Sequence, residues 1–151
     1  MIILGLNAYH GDSSACIFVN GKLVAAIEEE RIRRIKHWAG FPSESIKFCL
    51  KECGIGIQDV DHITISRDPS ANIYKKITHS LKHAVSFKVL KDRLKNTRKV
   101  SSIKQELSHN FSIDEAEIKA EIHNIEHHRS HMASAFFASP FEESAILSID
   151  G

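Results

Sequence analysis

The sequence predicts a mixed α/β domain whose sheet opens with a hairpin. Two observations carry this reading: β-rich runs crowd the first 30 residues around Asn20-Gly21, and from residue 41 onward helical periodicity alternates with short apolar runs. In order, "IILGL" reads as a first strand, and "ACIFVNGKLVAAIEEE" as two strands split by Asn-Gly, the pair that best suits a two-residue hairpin turn. From Phe41-Pro42-Ser43, Ile46, Leu50 and Cys53 recur at helical spacing until Gly54 stops the helix. "HITIS" is the fourth strand. Ile73, Ile77, Leu81 and Val85 line one face of an amphipathic helix. "KAEIHNIEHH" is a fifth strand, residues 128–138 a helix packed through Ala135 and Phe136, and "SAILSID" a last strand. The expected order is β-β-β-α-β-α-β-α-β.

Composition narrows the classes. A chain of 151 residues with 42% hydrophobic and 26% charged residues buries one ordinary core, and no apolar run approaches the roughly 20 residues of a membrane span. The opening "MIILGLNAYHGDSS" lacks the basic and apolar regions of a signal peptide, and Cys16, Cys49 and Cys53 form no disulfide or zinc framework, so a reducing cytoplasm is expected. The net charge of +1 conceals a segregation. Residues 70–110 hold ten Lys or Arg against Asp92 and Glu106, a local charge of +8 that leaves −7 for the rest. That segment reads as a solvated helical insertion or as a polyanion-docking surface. Because the chain stops on Asp150-Gly151 at a strand end, it is expected to be the N-terminal piece of a longer protein.

In such α/β sheets ligands lie at strand ends, and three stretches there carry chemistry. The turn "AYHGDSSA" offers backbone N–H groups and Ser13 for an anion and His10 as a donor, although Gly, Asp and Ser also serve any turn. "EEERIRRIKHWAGFP" sets Arg31, Arg34 and Lys36 behind three acids, a phosphate site or a self-paired charge cluster. In "IEHHRSHMASAFFASPF", His127 and His131 stand one helical turn apart, the spacing by which two imidazoles share a metal. His128 points elsewhere or pairs less well with His131, and in a chain of ten histidines the cluster also reads as an ordinary helix end. A carboxylate is needed as well, and Asp150 at the end of the next strand is the local donor.

Together, "LGLNAYHGDSSACIFVNGKLVAAIEEERIRRIKHWAGFP" and "EHHRSHMASAFFASPFEESAILSIDG" closely resemble the N-terminal part of NodU/CmcH-type carbamoyltransferases, with the likeness weakest over residues 70–110. The resemblance implies an actin-like ATPase fold, ribonuclease H-like, truncated here. It also implies use of carbamoyl phosphate and ATP, through carbamoyl adenylate, to carbamoylate a hydroxyl of a small molecule. His127 and His131 match the family's metal-binding histidines and Asp150 a further ligand, with iron(II) the implied metal and zinc or manganese the alternatives. His10 and Lys36 match groups acting around the carbamoyl phosphate, and Arg31, Arg34 and Ser13 match the phosphate-binding segments. The other ligand, the nucleotide loop and a second domain are expected beyond residue 151, so the 151-residue chain alone is expected to be inactive. A homodimer is a further expectation. Two rivals stand beside this reading: a tRNA-modifying or hydrogenase-maturation carbamoyl enzyme of the same fold, and a non-catalytic polyanion-binding module.

Overall fold

A single five-stranded sheet has four strands running one way, and these bring their carboxyl ends to one side while the fifth runs opposite. The computed structural model describes residues 1–68 and 103–149. Strand β1 (Ile2–Asn7) pairs antiparallel with β2 (Ser14–Val19), and β2 pairs antiparallel with β3 (Lys22–Glu28). The hairpin turns on Asn20 at φ 51° and Gly21 at φ 80°, the left-handed pair for which Asn-Gly is suited. A short helix α1 (Glu29–Arg33) and a longer α2 (Ser43–Cys53) follow. Strand β4 (His62–Ile65) returns parallel to β1, helix α3 (Ile103–Phe111) crosses over, and β5 (Glu121–Asn124) lies parallel to β4. Helix α4 (His127–Phe137) leaves the end of β5. The sheet order is β3-β2-β1-β4-β5.

Alternation along the strands divides the two faces. Leu4 and Leu6 of β1, Ala15 and Ile17 of β2, and Ile63 and Ile65 of β4 point into a core shared with Ile46, Cys49 and Leu50 of α2 and with Ile103 and Leu107 of α3. Burial pushes the Cys49 thiol up to about 12, so it is inert packing, and the three cysteines are free. The opposite face carries small residues. Gly5 lies beside Cys16, whose Sγ would sit 2.7 Å from a Cβ at position 5, and Thr64 is the next neighbour.

Helix α2 begins on Pro42, whose side chain caps nothing. Its free amides are satisfied from elsewhere. Glu29, fully buried, accepts from Ser45 N and Oγ at 2.8 Å each through Oε2, and from Glu44 N at 3.2 Å through Oε1. A carboxylate there also meets the positive end of the helix dipole. Arg33 closes the arrangement, its Nε 2.5 Å from Glu29 Oε1, its Nη2 2.8 Å from Ser43 Oγ, and its guanidinium 4.7 Å from the Trp38 ring centroid. Burial alone would raise the Glu29 carboxyl, but these hydrogen bonds outweigh it and hold it below the usual carboxylate range. At the other end Gly54, at φ 67°, donates to Leu50 O and Lys51 O and terminates α2 where the sequence places the stop.

The mixed sheet with flanking helices matches the expected fold class, and four elements differ in detail. Residues 29–33 continue β3's chain as a helix, because Glu29 must turn inward to cap α2. The expected last strand is not formed over residues 144–149: the segment joins no ladder among the described residues, and Leu147 and Ile149 are each 82% exposed. Helix α4 buries none of its residues: Phe136 is half-buried, and Ala135, expected to pack with it, is exposed because no described element covers it. Residues 103–110, grouped by charge with the basic segment, belong to the core helix α3. The helix expected at Ile73–Val85 lies outside the described residues. No helix among the described residues is long and apolar enough to cross a membrane.

Candidate metal and phosphate site

The carboxyl ends of β1, β4 and β5 project three loops toward one another. After β1, residues 8–13 make a tight loop containing two non-glycine residues in the left-handed region, Tyr9 at φ 59° and Asp12 at φ 61°. Such conformations cost roughly 1–3 kcal/mol each and persist only where surrounding bonds over-determine them. Here the bonds are plain. Asn7 Nδ2 donates to Asp12 O at 3.1 Å and Gly11 O at 3.4 Å, while Ser66 at the end of β4 donates to Asn7 Oδ1 at 3.2 Å. Tyr9 donates to Glu106 of α3 at 2.8 Å, and burial followed by that carboxylate pushes the phenol's pKa upward.

The loop is also joined to residues 37–40. Tyr9 N donates to Gly40 O at 3.2 Å and Ser13 N to Trp38 O at 2.9 Å; Ser13 Oγ lies 2.8 Å from Gly40 O and 3.1 Å from His10 O. His37, itself left-handed at φ 54°, sets its Nδ1 2.9 Å from Asp12 Oδ1. The two motifs read separately in the sequence, "AYHGDSSA" and "EEERIRRIKHWAGFP", are therefore one built unit. Asp12 raises the His37 pKa through its hydrogen bond and charge. A raised folded-state value means that the charged pair is present at low pH and is lost as pH rises through it. In an NMR titration, His37 should have a midpoint above about 6.5, and Asp12→Asn should lower it.

The third loop begins α4. Glu126 caps the helix, accepting from His128 N at 3.2 Å and Arg129 N at 2.9 Å, and those two bonds lower its pKa. On the first turn His127 Nε2 and His131 Nε2 stand 3.1 Å apart. Neighbouring ligands of one metal at bonds of about 2.0–2.1 Å are separated by about 2.8–3.4 Å in octahedral or tetrahedral geometry, so this pair fits a shared divalent ion. His128 turns away, with Nδ1 3.0 Å from Ser148 Oγ. His10 reaches the pair, its ring centroid 5.6 Å from that of His127. Asp150 lies outside the described residues.

Between His10 and His127 lies a cavity of about 430 Å³, completed by Asn7, Ser66 and Arg67. A neighbouring cavity of about 620 Å³ runs over the small-residue face past Gly5, Cys16 and Thr64 to Arg31. Arg31, Arg34 and Lys36 are exposed around α1; Arg31 pairs with Glu28 at 3.5 Å, and Arg34, at φ 60°, closes α1. Ser13 is buried with its hydroxyl turned to backbone carbonyls, so it holds the loop. Asn7, Ser66 and Arg67 escaped sequence reasoning. Their only signal was their place immediately at the ends of β1 and β4.

At the strand ends the structure thus gathers imidazoles and a guanidinium, side-chain types whose chemistry suits a divalent ion and anionic groups. The family follows from comparison: the carbamoyltransferase N-terminus family matches residues 2–151, and the chain belongs to it. It is 37% identical over 155 residues to the uncharacterized protein sll1178 of Synechocystis, covering 99% of this chain and 25% of that protein. It is 33% identical over 150 residues to the nodulation protein NolNO of Sinorhizobium fredii, covering 96% of this chain and 20% of that one. The chain thus spans about a quarter or less of the length of these relatives. Among solved structures it is similar to YeaZ from Pseudomonas aeruginosa, at TM-score 0.43 and 14% identity over 83% of this chain and 42% of that one.

Proposed function

We propose that this chain supplies the metal- and phosphate-binding half of an O-carbamoyltransferase that converts carbamoyl phosphate and ATP to carbamoyl adenylate and passes the carbamoyl group to a hydroxyl of a small molecule. The observation that carries this reading is the His127–His131 pair at 3.1 Å beside His10 and Arg67, in a chain of the carbamoyltransferase family. A divalent metal held by His127, His131 and Asp150 would neutralise phosphate charge. Iron(II) is the expected ion, and zinc and manganese suit the same donors.

The chain's own residues bind and orient. Arg67 and His10 face the 430 Å³ cavity, which is large enough for carbamoyl phosphate, and hydrogen bonds from Asn7 and Ser13 keep the His10 loop in its strained shape. Lys36, Arg31 and Arg34 are the cations left for the longer polyphosphate, and Arg31 lies on the 620 Å³ cavity. Water releases inorganic phosphate from carbamoyl phosphate, an oxygen of the resulting carbamate displaces pyrophosphate from the α-phosphorus of ATP to give carbamoyl adenylate, and attack of the acceptor hydroxyl on its carbonyl expels AMP.

The test is reconstitution. The full-length protein should release pyrophosphate from ATP only with carbamoyl phosphate present. The isolated 151-residue chain should release none, because the phosphates need groups from both sides of the cleft. Clear turnover by the isolated chain would overturn the half-site reading.

A further inference from the structure

A second group of metal-ligating side chains lies at the other end of the same strands. In the parallel β4–β5 ladder His62 is opposite Glu121 and Thr64 opposite His123, so strand alternation puts His62, Glu121 and His123 on one face, away from buried Ile63 and Ile65. His62 Nδ1 and His123 Nε2 are 3.0 Å apart, and Glu121 Oε2 is 3.9 Å from each. A triangle with those sides has one point about 2.1 Å from every corner, the bond length of zinc to imidazole nitrogen and carboxylate oxygen. Raising the ion slightly out of that plane leaves a fourth, solvent-facing position. The side chains are 34%, 71% and 35% exposed in the order His62, Glu121, His123, so an ion has access without unfolding the sheet.

From this juxtaposition we infer that His62, His123 and Glu121 form a separate binding site for a divalent metal of borderline softness, with zinc(II) the fitting ion. Two imidazoles and one carboxylate suit such a metal rather than calcium or magnesium. The site spans two strands, of which β5 is the end strand among the described elements, so an ion there clasps β5 to β4. It shares no ligand with the His127–His131 pair and stands whether or not that pair acts in catalysis.

The experiment titrates zinc(II), and cobalt(II) as a spectroscopic stand-in, into the full-length protein carrying His127→Ala and His131→Ala, which removes the other pair. One equivalent should bind, with tetrahedral cobalt(II) absorption. Adding His62→Ala should weaken binding at least tenfold, with the far-UV circular dichroism unchanged. Glu121→Gln, at an exposed position, should weaken it as well without touching the core. Absence of saturable binding in the double variant, or binding indifferent to both further changes, would overturn the site.

Discussion

His127→Ala and His131→Ala in the full-length protein are each expected to lose one bound metal equivalent, leaving that at His62, Glu121 and His123, and with it carbamoyl transfer by more than about a hundredfold. Changes in the outer partners of a metal typically cost 10–100-fold, and removal of a direct ligand should exceed that. The two rings meet edge to face with centroids 4.5 Å apart, so one alanine leaves a single imidazole and no pair. His128→Ala is the control. Its ring is engaged by Ser148, and the variant should keep its metal and most of its activity. Metal content by elemental analysis and acceptor carbamoylation measured on the same samples decide the matter. Retention of both by either alanine variant at 127 or 131 would refute the assignment.

The second large effect lies away from the chemistry. Glu29→Ala should destabilise the domain by about 3 kcal/mol, roughly 6–12 °C in Tm for a domain of this size. It removes the acceptor for Arg33 and for the α2 amides of Glu44 and Ser45 at once, stranding a half-buried guanidinium and two helix-end donors. Glu44→Gln touches only an exposed pair with Lys47 and should stay within about 0.5 kcal/mol. The pH dependence has a definite sign. Because the folded-state Glu29 pKa is depressed, its contribution is complete above the ordinary carboxylate value and is lost as pH falls through the lower folded value. Thermal melts of the wild type should therefore fall in acid more steeply than those of Glu29→Gln.

Glu29 also shows why the sequence could be read only in part. In "EEERIRR" it is one acid among three, and nothing in its spacing separates it from the exposed ones. Its role depends on Ser45, 16 positions away, which the fold brings to 2.8 Å. The same holds for Asn7, Ser66 and Arg67, ordinary residues whose value comes from the convergence of strand ends. The expectation that Ala135 would pack α4 beside Phe136 failed for a related reason. A small-plus-aromatic pattern implies a partner surface, and pattern alone does not say whether the described elements contain it.

Local chemistry determined what sequence reading recovered. The left-handed preference of Asn20-Gly21 set the hairpin, Gly54 ended α2, alternation in "IILGL" and "HITIS" set the buried faces, and i, i+4 spacing brought His127 against His131. Each of these depends on residues within one turn or one strand. Tertiary structure alone decided that the His10 loop and the 37–40 loop are one unit, that Glu29 caps a helix on another segment, and that His62 and His123 meet across two strands. Those contacts join residues 16 to 61 positions apart, and only closure of the chain around its core makes them neighbours.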